Sequence, residues 1–253
     1  MIVMAVNAIL GFAIPIFLAW WAVKKHKANL STILIGAATF FVFALVLESL
    51  VHRVVLLGDR GAAIQGNVLY YALYGGLMAG LFEETGRFLA MKYLLKKEPS
   101  ETKPAVSYGL GHGGLEMILL FGFSMISTLT MAVMVNAGMT DMLLEKTPEA
   151  SQAALTAQFD QLKTTSAGTY LYGLWERLSA LTLHLGLSIL VWTAVRKGGK
   201  WLWLFPAAIA LHALVDGVVV LLKDSLGMVA LEAILFVAAL AVAALAYRIV
   251  KKL

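Results

Sequence analysis

The chain has 253 residues, of which 60% are hydrophobic and only 14% charged, and its mean hydropathy is +0.84. Soluble domains run nearer about 45–50% apolar and about 25% charged, so a soluble globular fold is excluded in favour of a polytopic helical membrane protein. The absence of cysteine excludes disulfides, thiolate metal sites and cysteine nucleophiles, and leaves His, Asp and Glu as the metal ligands available. The net charge of +5 fits basic loops against an anionic membrane surface. The partners it implies are membrane lipids, not nucleic acid.

In chain order, seven apolar segments suggest spans at about 2–23, 33–57, 68–95, 105–137, 170–195, 201–222 and 226–249. Each is long enough at ~1.5 Å per residue to cross a ~30 Å hydrocarbon core. The first lacks a basic lead and a small-residue cleavage site, so it reads as a retained span rather than a signal peptide. The fourth is overlong and is expected to tilt or emerge. The fold class is therefore all-α, a transmembrane bundle of about seven spans. It is expected to form one membrane-embedded domain over 1–253, with its motif-bearing core at about 68–222, in a prokaryotic plasma (inner) membrane.

Basic residues alternate from one connection to the next. Thirteen lie at one end: Lys24, Lys25, Lys27, Lys92, Lys96, Lys97, Lys103, Arg196, Lys197, Lys200, Arg248, Lys251 and Lys252. Five lie at the other: Arg53, Arg60, Lys146, Lys163 and Lys223. The bias predicts the N-terminus outside and the C-terminus inside. The long outer loop, 138–168, carries a helix start at Thr147-Pro148-Glu149, with Thr147 as cap and Pro148 as first helical residue. Leu155, Phe159 and Leu162 follow on one face, the pattern of an amphipathic helix lying on the bilayer.

Charged side chains inside a membrane cost roughly 2.5–3.5 kcal/mol each on insertion scales, so they need partners or a function. Here they are Glu48, His52, Glu83, Glu84, Arg87, His112, Glu116, Glu176, Arg177, His184, His212 and Asp216. Counted from the basic ends of their spans, Glu84, His112, Glu116, His184, His212 and Asp216 fall in one layer roughly 12–22 Å deep. Within spans, His112 and Glu116, His212 and Asp216, and Glu83 and Arg87 are four apart and share a helix face. Imidazoles and carboxylates at one depth suit a divalent metal, zinc above all, and activation of water by a carboxylate. His52 is expected to hydrogen-bond between helices. Glu48, Glu176 and Arg177 are expected in interhelix ion pairs, and the glycines of 109–114 and Gly76-x-x-x-Gly80 at close helix contacts.

Four motifs, FEETGR at 82–87, GLGHGGLE at 109–116, ERLSALTLH at 176–184 and HALVD at 212–216, resemble those of the YhfC family of intramembrane metalloproteases. That family is grouped with the type II CAAX-processing membrane peptidases. The depth count puts the site in the cytoplasmic half of the bilayer, in a cavity expected to open toward that side, and the resemblance implies a peptidase acting on a membrane-embedded or lipid-anchored peptide. It implies catalytic roles for Glu83, Glu84, Arg87, His112, His212 and Asp216, and a divalent metal on His112, Glu116, His184 and His212. Arg87 stands one residue nearer the paired acids than in the CAAX pattern, which leaves open whether Glu83 or Glu84 is the base.

Two rivals use the same residues. A proton- or metal-coupled transporter also places acids and histidines at mid-depth, but the inverted repeat common in transporters is not found in this sequence. A bis-histidine haem protein is the other.

Overall fold

The computed structural model describes residues 1–252. It is a helical bundle without strands among the described residues. Its helices are α1 (Ile2–His26), α2 (Leu30–Leu56), the short α3 (Gly61–Gln65), α4 (Val68–Leu89) and α5 (Lys103–Asn136). Two helices of the long loop follow, α6 (Thr140–Glu145) and α7 (Glu149–Thr164). The bundle is completed by α8 (Ala167–Lys197), α9 (Leu204–Leu222) and α10 (Met228–Lys251).

Six helical segments are long and apolar enough to cross a membrane. The expected third span, α4, is not among them. It is a 22-residue helix in which three tyrosines and the Glu83-Glu84-Arg87 group dilute the apolar character. It nevertheless packs along α9. The outward surface is apolar where lipid would lie, with Val54 76%, Val237 64% and Leu214 62% exposed. A water-soluble monomer does not sustain such a belt. The protein is an integral membrane protein.

Glycines set the helix crossings. A Cβ on Gly36 of α2 would stand 2.1 Å from the Tyr108 carbonyl oxygen of α5, and one on Gly111 of α5 1.8 Å from that of Ile33. No other residue fits there without moving the backbones apart. Gly76 and Gly80 bring α4 equally close to Ala213 and Ile209 of α9, the small-residue packing that membrane helices use in place of a hydrophobic drive.

Three π-helical stretches interrupt the spans: Phe41–Glu48 in α2, Ala90–Leu94 after α4, and Met117–Gly122 in α5. Such turns often occur at functional sites. The first and third begin where α2 and α5 separate. Below them Leu30–Phe40 packs on Lys103–Glu116; beyond them α2 turns to α4, and α5 to α1. α5 is long, as expected, at 34 residues.

The basic end is closed. Met91, Leu95, Tyr108, Leu187, Leu190 and Trp192 fill it, each at most 2% exposed. The 96–101 turn is strapped over it by Arg196, which donates to the Lys96 and Glu98 carbonyls, and by Trp192 Nε1, which donates to the Glu101 carbonyl at 2.8 Å.

The cap expected of Thr147 does not form. Its hydroxyl donates to the Leu143 carbonyl at 2.8 Å, the back-bonding that a preceding helix end offers. Pro148 therefore occupies the cap position, and α7 starts at Glu149. The apolar stripe faces inward: Phe159 is buried, and α7 packs on the far end of α5.

We propose the orientation that the basic residues dictate, N-terminus outside and C-terminus inside. Reporter fusions are expected to place the C-terminus and residues 96–104 in the cytoplasm and residues 140–165 outside. A cytoplasmic signal from 140–165 would reverse the orientation.

Candidate metal centre

Four helices send side chains into one cluster. α4 contributes Glu83, Glu84 and Arg87, α5 His112 and Glu116, α8 Arg177 and His184, and α9 His212 and Asp216. The three imidazoles stand in a row, His112 to His184 at 4.8 Å and His184 to His212 at 5.3 Å between ring centroids. Glu84, Arg87 and His112 are fully buried.

The two acids of α4 have different surroundings. Arg87 Nη1 donates to both Glu84 oxygens, at 2.5 and 2.6 Å. Glu84 Oε1 also lies 2.9 Å from His212 Nδ1. Glu83 has no Lys or Arg within 4.0 Å among the described residues. Its Oε2 meets His112 Nε2 at 2.8 Å and lies 3.9 Å from His184 Nδ1, and it lines the main cavity. Arg87 thus takes the acid three residues before it, not Glu83 four before.

The histidines are held from behind. Glu84 on Nδ1 of His212 leaves Nε2, which faces Asp216 Oδ2 at 3.4 Å. His184 receives a hydrogen bond on Nδ1 from Arg87 Nη2 at 3.1 Å, and its Nε2 lies 2.5 Å from Glu116 Oε2. Glu116 in turn accepts from Arg177 at 2.6 Å, and Arg177 also pairs with Glu176. Carboxylates behind imidazoles are the usual way of fixing a ligand histidine's tautomer and direction.

Glu83, His184 and His212 each offer one donor atom, all within 4.8 Å of one another. Ligands around a tetrahedral zinc with ~2.1 Å bonds lie roughly 3.4 Å apart, so closing the set takes side-chain rotation and the release of one His184 nitrogen, since Nδ1 accepts from Arg87 Nη2 and Nε2 faces Glu116. The charges agree. Both arginines of the cluster are engaged by carboxylates, whereas Glu83 and Asp216 have no basic side chain other than histidine within 4.0 Å among the described residues. A divalent cation would supply the missing positive charge in a medium where unpaired charge is costly.

This grouping differs from the set expected from sequence. His112 and Glu116 stand outside it, His112 against Glu83 and Glu116 against His184. The i, i+4 pairing of His112 with Glu116 does not form, because both turn to side chains on facing helices. Glu48 and His52 form a second small network: His52 Nε2 lies 3.1 Å from Glu48 Oε1, and its Nδ1 meets the Tyr74 hydroxyl at 2.8 Å across to α4. Glu232 of α10 is not among the intramembrane candidates named from the sequence. It is 6% exposed, its Oε2 has no hydrogen-bond partner among the described residues, and it lies one turn before cavity-lining Leu235. The signal was present in the sequence, as the lone acid of an apolar span.

The cavity measures about 450 Å³. From the histidines it passes Glu116 and Asp216, then Glu48, Arg177 and Glu176. Glu48 and Asp216 lie in the C-terminal halves of α2 and α9 and Glu176 and Arg177 in the N-terminal half of α8, and the lining continues with Gly75 and Gly76 in the N-terminal half of α4 and Leu120 just past the middle of α5. The cavity therefore runs away from the basic loops, not toward them as the sequence expectation had it. The depth of a residue along its own helix fixes the polar layer but not which side of it is filled, and the packed basic end closes the expected route.

A membrane-embedded helical bundle around a buried cluster of carboxylates and imidazoles defines an integral membrane protein with a candidate metal centre. The chain belongs to the YhfC family: the family model described as YhfC intramembrane metalloprotease matches residues 10–241. It is 39% identical over 212 residues to a protein of Bacillus subtilis (strain 168) named "Uncharacterized membrane protein YhfC", which covers 83% of this chain and 80% of that relative. No solved structure matches.

Proposed function

We propose that the protein is an intramembrane peptidase that cleaves a peptide bond with water activated by Glu83. The carrying observation is the contrast between the two acids. Glu84 is bound by Arg87 and His212, whereas Glu83 faces the cavity without a cationic partner other than histidine. The family match favours this reading over ion-coupled transport.

A divalent cation, zinc by donor type, would be held by His184, His212 and one oxygen of Glu83, which would leave the other Glu83 oxygen to take the proton. Bound there, it would polarise the scissile carbonyl and lower the pKa of water. Glu83 takes the proton from the attacking water, and the same proton passes to the departing amine nitrogen. His112 donates to Glu83 and fixes its direction. Glu84 orients His212, Glu116 backs His184, and Asp216 stands where it can steady the Nε2 side of His212. Arg87 engages both oxygens of Glu84 and so holds it out of the proton transfer. The substrate is a peptide within or tethered to the membrane, and the membrane is the plasma (inner) membrane of a prokaryote.

The test couples metal content to cleavage. Detergent-purified protein is expected to retain a divalent metal near one per chain by elemental analysis, and to cut a membrane-spanning reporter. His184→Ala and His212→Ala should each lose most of the metal and the cleavage, while remaining monodisperse. Full metal retention in both variants would remove His184 and His212 as ligands. Absence of cleavage by metal-loaded wild type across a panel of membrane-spanning reporters would count against the peptidase.

A further inference from the structure

The cavity has a side as well as an end. α2 and α5 are locked together where Gly36 and Gly111 let their backbones touch, and they part at the two π-helical stretches, Phe41–Glu48 and Met117–Gly122. Between the parted halves the cavity wall consists of Ala44, Leu45 and Ser49 on one helix and Leu120 on the other. Leu120 lines the cavity and is 48% exposed. Behind this apolar rim lie Glu48, Glu116 and Arg177, and then Glu83.

We propose that this cleft between α2 and α5 is a lateral doorway through which a hydrophobic peptide segment enters the cavity from the surrounding lipid. The reading of its occupant rests on the peptidase proposal. A hydrolytic site at mid-membrane depth, closed on the basic side, can be reached by a membrane-embedded chain only through a gap between helices. The gap's chemistry selects a peptide over a lipid tail. An acyl chain drawn inward would cover Glu48, Glu116 and Arg177 with methylenes and strip away water without offering their remaining hydrogen-bonding positions anything in its place. A peptide segment that unwinds to expose its scissile bond brings free N–H and C=O groups, which themselves need partners away from water. The carboxylates and guanidinium behind the rim supply them. The doorway lies on the side of the polar layer away from the basic loops, so the segment reaches the mid-depth site from that half of the bilayer.

The cysteine-free chain makes the test direct. Single Leu45→Cys, Leu120→Cys and, as a lipid-facing control on α10, Leu240→Cys variants are labelled with benzophenone maleimide in liposomes. A fluorescent synthetic peptide with one hydrophobic span is added, and the sample is irradiated. Capture is expected to be several-fold higher from positions 45 and 120 than from 240. In a second arm, the Leu45→Cys/Leu120→Cys pair is bridged by a reducible bis-methanethiosulfonate reagent. Bridging should abolish cleavage of the spanning peptide, and reduction should restore it. Equal capture at all three positions, or capture confined to 240, overturns the doorway, as does undiminished cleavage after complete bridging. Strong capture at 45 and 120 by a wild-type background that cuts nothing upholds the doorway and removes the peptidase, so the two failures are distinguishable.

Discussion

Glu83→Gln is expected to abolish detectable cleavage while leaving the protein folded. Gln keeps the size of the side chain and an oxygen for the His112 Nε2 hydrogen bond, which stands at 2.8 Å, but it cannot accept the proton of water. General-base catalysis contributes about 10²–10⁴-fold, so the loss should be at least two orders of magnitude in turnover. Reporter cleavage measures it, and a thermal melt within a few degrees of wild type is the expected companion. His52→Ala is the contrast. His52 lies farther from the cluster, bonded to Glu48 and Tyr74, so most activity should survive there. Normal turnover by Glu83→Gln, paired with loss in Glu84→Gln, would exchange the roles of the two acids. Normal turnover in both would dismiss carboxylate-activated water at this site.

What the sequence discloses here follows from where the physics is local. The helices are legible because lipid demands long apolar runs with internally satisfied backbones. The glycine crossings are legible in kind, since Gly76-x-x-x-Gly80 has few other uses in a membrane helix. The polar layer is legible because loop lysines supply an independent ruler for depth. Pairing is another matter. On a helix, Arg87 reaches Glu83 and Glu84 about equally well; the choice is made by geometry from other elements, with His212 of α9 beside Glu84 and His112 of α5 beside Glu83. His112 and Glu116 likewise share a face yet bond to partners on α4 and α8. Periodicity within one helix carries no information about the rotation of its neighbours. The direction of the cavity was hidden for the same reason. It depends on α2 and α5 touching at Gly36 and Gly111 and diverging afterwards, a property of two helices together. α4 shows the reverse case: the residues that make it functional lower its hydropathy below that of its neighbours.

Glu84→Leu is expected to be the most destabilising single change in the cluster. Arg87 and Glu84 are both fully buried, and both Glu84 oxygens accept from one guanidinium nitrogen. Removing the carboxylate leaves a guanidinium enclosed by protein, with only His184 Nδ1 as a partner. Orphaning one member of a buried pair costs about 3–5 kcal/mol. His212 would lose its Nδ1 acceptor as well. The variant should express poorly, melt well below wild type in detergent, and aggregate on mild heating. Replacing both partners tests the cause. Glu84→Leu/Arg87→Met removes the orphaned charge and fills the space with apolar atoms, and it should recover much of the lost stability, since apolar replacement of a whole buried pair is often neutral or better. The recovery should not extend to function, because His212 remains without the carboxylate that aims it. A thermal melt that rises from the single to the double variant, with cleavage and metal content low in both, is the expected pattern. If the double variant melts no higher than Glu84→Leu, the isolated charge is not the cause of the damage. The pair would then be a packing element rather than an electrostatic one.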